Sequence, residues 1–110
     1  SWKAGEMLSA ENTTFAGGFA TGMAYKTPFE IYRDQLTDFV LLTEDEIYTG
    51  IRMAIHYTHN LAEGAGASTL MAAWKLREKL QGKKVVLQMS GCNASQQELQ
   101  KGLTVDLPSR

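Results

Sequence analysis

The stretch Lys83-Lys84-Val85-Val86-Leu87-Gln88-Met89-Ser90-Gly91-Cys92-Asn93 decides how this chain reads: a β-branched apolar run stops at a small polar turn that contains glycine. Buried parallel strands have short, nearly continuous apolar runs, and α/β sheets bind ligands just beyond the carboxyl ends of such strands. A strand over 84–89 would therefore deliver the Ser90 hydroxyl to a ligand-facing turn. The plainer reading of the same residues is a strand-to-helix loop in which glycine and asparagine supply unusual dihedrals. A second bounded apolar run, Asp38-Phe39-Val40-Leu41-Leu42, predicts a strand over 38–42.

Between the two runs the pattern turns helical. Thr43-Glu44-Asp45-Glu46 is a capping box with an acidic first turn that complements the helix dipole. It predicts a helix from Glu44 to about His59, with Ile47, Ile51, Ala54 and Ile55 on one apolar stripe. A further helix is expected from Gly64 or Ala65 to Leu80. The small residues Ala65, Gly66, Ala67 and Ser68 in its first turn suit close packing better than anion capture by a bare helix N-terminus. Gly82 ends that helix, and Ser95 caps a last one over Gln96–Lys101, before a tail over 104–110. Upstream, Pro28 suits the first turn of a helix over 29–36. A short helix near Ser1–Leu8 leads into a glycine-containing loop.

Strand, two helices, strand is the order of a parallel, right-handed crossover. The expected fold is α/β: one domain or fragment over 1–110, with a partial three-layer sheet of parallel strands (38–42 and 84–89) and flanking helices. Two strands cannot cover themselves. Either the first 28 residues hold further strands or the sheet is shared with another chain, the expected partner being a second copy in a homo-oligomer or a complementary N-terminal half.

At 110 residues the chain can bury roughly two thirds of its unfolded surface. A net charge of −1 with 21% charged residues has neither the sign nor the density that nucleic acid or anionic membranes select. The single cysteine, Cys92, excludes an intrachain disulfide, and a reducing cytoplasm is the expected compartment. No apolar run approaches the roughly 20 residues of a membrane-spanning helix. His56 and His59 lack further ligands at metal-binding spacing and read as surface histidines. Met53, Met71 and Met89 read as core filling. Cys92 has no neighbouring base in sequence to activate it.

Four motifs in order then resemble one family. Thr14-Phe15-Ala16-Gly17-Gly18 is similar to T-I-A-D-G, and Asp38 to Ile47 to D-D-[IV]-[VF]-x-V-[ST]-E-[DE]-E-I. Glu63-Gly64-Ala65-Gly66-Ala67 is similar to E-[PG]-[AS]-G-A, and Ser90-Gly91-Cys92-Asn93 to S-G-G-N. These are motifs of the C-terminal part of the fold-type II pyridoxal-phosphate enzymes, the threonine and serine dehydratases and serine racemase. The resemblance implies the fold of that part of the large domain. It makes Ser90 the hydroxyl that bonds the pyridine nitrogen of pyridoxal phosphate, with Gly91 beside it, Gly18 lining the cofactor and Glu63 beside the ring. A neutral hydroxyl does not hold a proton on that nitrogen as a carboxylate would, which favours elimination over transamination.

Two positions depart from the pattern: Gly17 stands where the family has aspartate, and Cys92 where it has glycine. The family's Schiff-base lysine and phosphate loop lie upstream of the matched region, and Lys3 is read as a surface lysine. The resemblance thus implies a truncated homologue or fragment of a threonine or serine dehydratase, inactive alone and without bound cofactor. The alternative is an independently encoded, non-catalytic oligomeric assembly or binding module that kept the fold.

Overall fold

Thr43 opens the central helix as the spacing of its capping box predicts. Its hydroxyl accepts from the Glu46 amide (3.2 Å), and the Glu46 carboxylate accepts from the Thr43 amide (2.8 Å). The helix is α2, Glu44–Met53, in the computed structural model, which describes residues 1–109. It is preceded by α1 (Lys26–Tyr32) and followed by α3 (Gly64–Lys75), α4 (Arg77–Leu80) and α5 (Gln96–Thr104). Single 3-10 turns stand at Trp2–Ala4 and Gly17–Phe19. The helix expected near Ser1–Leu8 is only the first of these, closed by Gly5 in the left-handed region (φ 73°).

The core lies along α2, where Ile47, Tyr48, Ile51 and Met53 are buried. Each such side chain is worth about 1.5–3 kcal/mol of burial. Two glycines set how closely the neighbouring helices approach. A Cβ on Gly50 would lie 2.8 Å from the Ala67 carbonyl oxygen of α3, and one on Gly102 of α5 would lie 2.7 Å from Ile51 Cγ2. The N-terminal loop joins this core through Phe15, whose ring stacks on Tyr48 with centroids 4.1 Å apart and planes 11° apart. Lys101 of α5 places its ammonium 4.2 Å from the Tyr48 ring centre, a cation–π contact that ties the third element to the same ring.

The expected parallel sheet is not formed among the described residues. Among the described residues neither 38–42 nor 84–89 is a strand, and the only bridge is an isolated antiparallel one between Ser9 and Met23. A strand exists only when a neighbouring backbone completes its ladder, and a parallel pair needs the two runs side by side. Here α3 lies beside both and answers their carbonyls with side chains. Thr69 Oγ1 donates to the Gln88 carbonyl (3.2 Å), and Lys75 Nζ donates to that of Leu41 (3.2 Å). Several apolar side chains of the runs remain open, with Val86 95% and Leu41 73% exposed, while Val40, Leu42 and Met89 are only partly buried.

The helices follow the sequence more closely. The first of them spans Lys26–Tyr32 rather than 29–36, with Pro28 inside its first turn and Phe29 buried, while Ile31 stays exposed. The α2 helix passes into a π-helical turn at Ala54–Thr58, so the helical path reaches almost to His59 as expected. The helix expected from Gly64 to Leu80 is divided at Leu76. Arg77 lies over the Trp74 ring (4.7 Å) and donates to the Trp74 carbonyl (3.1 Å), capping the chain there with a side chain. Gly82, at φ 75°, follows α4.

Since the atoms facing Gly50 belong to backbone, Gly50→Ala forces α2 from α3. We expect a loss of about 1–3 kcal/mol from overpacking, against which the helix propensity of alanine returns only about 1 kcal/mol. Gly17→Ala, with nothing within 4 Å of the added carbon, is the control. Urea midpoints measure both, and equal midpoints would contradict the close approach.

Candidate functional site

The π-helical turn after α2 determines where the site forms. Thr58 Oγ1 donates to the Ala54 carbonyl (2.7 Å), and His59 closes the turn in the left-handed region (φ 56°). The Asn60 side-chain amide then donates to the Thr58 carbonyl (2.8 Å). This sharp reversal lays Asn60–Ala62 beside Met89–Cys92, and a pocket of about 360 Å³ lies between them.

Of the four residues singled out by sequence, three are packed together. Glu63 is the N-cap of α3, and its amide donates to the Gly91 carbonyl (3.2 Å). Its carboxylate lies over the α-carbon of Gly91, so that a Cβ there would fall 2.9 Å from Glu63 Cδ. Gly18 reaches the same place from the N-terminal loop: a Cβ on it would stand 3.6 Å from Glu63 Oε1 and 2.7 Å from the Ala65 methyl. Gly66 is equally close, since its added Cβ would come within 2.8 Å of the Gly91 amide nitrogen. Small residues in the first turn of α3 thus do serve close packing. Ser90, the fourth residue, is exposed and lines the pocket.

Cys92 is exposed at the rim of the same pocket. His56 and His59 are exposed, and among the described residues no cluster of ligating side chains could hold a metal. Among the methionines, Met53 is buried and Met89 packs partly buried against the core, in keeping with a filling role.

Sequence reading found Ser95 but missed what Glu98 does. Ser95 Oγ accepts from the Glu98 amide (3.2 Å), while Glu98 Oε2 accepts from the Ser95 amide (2.8 Å). The Ser-x-x-Glu spacing announces this second capping box. Nothing in sequence announces the other oxygen, Oε1, which accepts from the Gly64 amide of α3 (3.2 Å), 34 residues away.

Glu46 is used twice in a similar way, by Thr43 and by Lys75, whose ammonium lies 2.8 Å from Glu46 Oε1. Burial raises the affinity of both carboxyls for a proton, but hydrogen bonds outweigh it and hold each below the ordinary 4.5. For Glu46 the donors are Lys75 and Thr43, and for Glu98 they are Ser95 and Gly64. Tyr48 moves upward, chiefly by burial and then by the carboxylates of Glu44, Glu98 and Asp45.

No profile of a known protein family matches the chain. In sequence it is 34% identical over 94 residues to the biosynthetic L-threonine dehydratase of Halalkalibacterium halodurans, covering 84% of this chain and 23% of that one. It is 33% identical over 96 residues to the catabolic L-threonine dehydratase of Escherichia coli K12, covering 84% and 29%. In fold it is similar to the crystal structure of a T.th. threonine deaminase, with a TM-score of 0.77 at 26% identity, over 86% of this chain and 32% of that one. Sequence and fold agree on the class: the chain is threonine dehydratase-like. It spans about a quarter of the length of the curated relatives it matches.

Because Glu46 and Glu98 bind protons more weakly when folded, the unfolded chain takes up more protons as the pH drops through this range. Their contribution to stability is complete above about pH 4.5 and is lost as the pH falls through their folded-state values. Urea unfolding from pH 7 to pH 3 should show that loss. Glu46→Gln should be less stable than the parent at pH 7, with the gap closing toward pH 3; a constant gap would contradict the linkage.

Proposed function

We propose that this chain is the cofactor-ring side of a pyridoxal-phosphate-dependent threonine or serine dehydratase, a truncated homologue or fragment that does not catalyse alone. The parent reaction converts L-threonine or L-serine to a 2-oxo acid and ammonia. The observation that carries the proposal is the convergence of Gly18, Glu63 and Gly91 at the α3 N-terminus, beside the exposed Ser90. These residues fit the fold-type II ring site. Gly18 and Gly91 let Ala65 and Glu63 pack onto bare backbone, and the exposed Ser90 lines the neighbouring pocket together with Gly91.

Bound pyridoxal phosphate supplies an electron sink for charge developing at the substrate α-carbon. In this reading the chain holds one edge of the group: Ser90 is a neutral partner for the ring nitrogen, with Glu63 beside the ring and Gly18 and Gly91 lining it. None of these residues anchors a phosphate, and the lysine that carries the cofactor in the family has no counterpart at a matching position in these 110 residues. The compartment that suits this chemistry and the unpaired Cys92 is the cytoplasm; among the described residues no helix is long and apolar enough to cross a membrane.

The partner in this reading is the complementary N-terminal half. Exposed Val85, Val86 and Leu87, and an apolar hollow of about 560 Å³ lined in part by Met53, Leu70, Trp74 and Leu80, require a cover larger than the chain provides. The same exposed residues favour a second reading, a homo-oligomeric assembly module.

Two measurements separate these readings. Co-expressed with the N-terminal portion of a threonine dehydratase relative, the chain should form a complex that retains pyridoxal phosphate, seen by its absorbance. Ser90→Ala should weaken that retention roughly tenfold, the scale of one hydrogen bond to a charged or strongly polar group, with little change in thermal stability. Complex formation without cofactor would refute the ring-site role. Light scattering of the chain alone across a dilution series should show polydisperse association; a discrete symmetric dimer would favour the module, and a monomer at every concentration would contradict both.

A further inference from the structure

The turn that carries Ser90 is fastened at both ends to adjacent residues of one helix. At its start the Gly91 carbonyl accepts from the Glu63 amide (3.2 Å). At its end the Glu98 carboxylate accepts from the Gly64 amide with one oxygen (3.2 Å) and from the Ser95 amide with the other (2.8 Å). Glu63 and Gly64 are the N-cap and first residue of α3, where amides have no partner inside the helix. A helix N-terminus also carries partial positive charge, which favours a carboxylate over a neutral acceptor. The Glu98 side chain is only partly exposed, so its bonds compete with less water than those of a free surface glutamate.

We infer that Glu98 is a positioning residue for the Ser90 turn. Its carboxylate locks residues 91–95 against the α3 N-terminus and so fixes the direction in which Ser90 and the backbone of Gly91 face the pocket. It touches neither Ser90 nor the pocket and acts through Gly64 and Ser95. The functional meaning of this lock rests on the ring-site reading above, but the lock itself is a property of the chain alone.

Two alternatives would leave the same bonds with a smaller meaning. Glu98 could serve only as the N3 residue of the α5 capping box, in which case the contact with Gly64 would be incidental. Or the α2 contacts of α5, through Gly102 and Lys101, could hold the helix and turn without it. Substitutions distinguish these cases. Glu98→Ala removes both bonds, whereas Glu98→Gln keeps one oxygen and can satisfy only one of the two amides. Ser95→Ala removes the hydroxyl half of the box but leaves the carboxylate bridge intact.

Cys92 lies inside the fastened segment and is exposed, so its reaction rate with a neutral maleimide at pH 7 reports the turn directly. Hydrogen exchange at the Glu63 and Gly64 amides reports the other side. In the full chain, Glu98→Ala should speed exchange at both amides roughly tenfold, the scale of one lost charged hydrogen bond, and should change the Cys92 labelling rate. Glu98→Gln should be intermediate. Ser95→Ala should accelerate exchange in α5 but leave Glu63, Gly64 and Cys92 near the parent values.

If Glu98→Ala loosens α5 alone, with the two α3 amides and Cys92 unchanged, the positioning role is wrong. The role is also wrong if Ser95→Ala matches Glu98→Ala at all three positions. Should Glu98→Ala fail to fold, the Gln variant carries the test by the same criterion. None of these readouts involves pyridoxal phosphate, so a failure of the ring-site reading leaves them intact and separately interpretable.

Discussion

The approach of α2 to α3 at Gly50 and Ala67 is the constraint from which the rest of the molecule follows. With no side chain at Gly50, the two helices meet backbone against backbone. The first turn of α3 is thereby held near Phe15, Ala16 and Ile47, which are the atoms that a side chain on Gly64 would strike. Once the N-terminus of α3 is placed in this way, Glu63 and Gly64 are placed too, and they are the residues to which the Ser90 turn is attached. A small residue in the core thus determines the geometry of a polar turn that it does not touch. Protein interiors transmit such constraints because they are packed to crystal-like density.

The polar groups of this molecule divide by how fully they are satisfied. Glu98 and Glu46 each accept from two directions, and those donors outweigh burial and lower the pKa of both. Glu63 and Ser90 are different. Glu63 uses its backbone to hold Gly91, while its carboxylate lies over a bare α-carbon, and Ser90 is turned to the pocket. Structural carboxylates consume their hydrogen-bonding capacity within the protein. The Ser90 hydroxyl, exposed at the pocket, is in the position that the proposed ring-site reading requires.

Local signals were legible in the sequence and long-range ones were not. Thr43 to Glu46, Gly82 and Ser95 each act within a few residues, and each does what its spacing predicts. The sheet failed because an apolar run records only that a segment wants burial. It does not record whether a neighbouring backbone is at hand, and for 38–42 and 84–89 the described residues supply side-chain donors instead. The break at Leu76 failed for a related reason: Arg77 capping the Trp74 carbonyl competes with helix continuation, and residue propensity does not reveal which wins. Of the site, the motif residues were legible through the family resemblance, but the link from Glu98 to Gly64 was not. That link joins residues 34 apart, and neither position marks the other.

The two capping boxes make the general point. In each, the glutamate at N3 reaches back to its own N-cap as the local rule requires, and in each it also leaves the helix. Glu46 meets Lys75 of α3, and Glu98 meets Gly64 of the same helix. Opposite ends of α3 are therefore held by the N-terminal turns of α2 and α5. A carboxylate has two oxygens and about four lone-pair sites, more than one cap consumes. The surplus is what lets a local helix signal double as a tertiary fastening. Substituting alanine at either glutamate removes a cap and a helix–helix bond together, so the two effects can be apportioned only by comparison with variants such as Ser95→Ala that disturb the cap and spare the bridge.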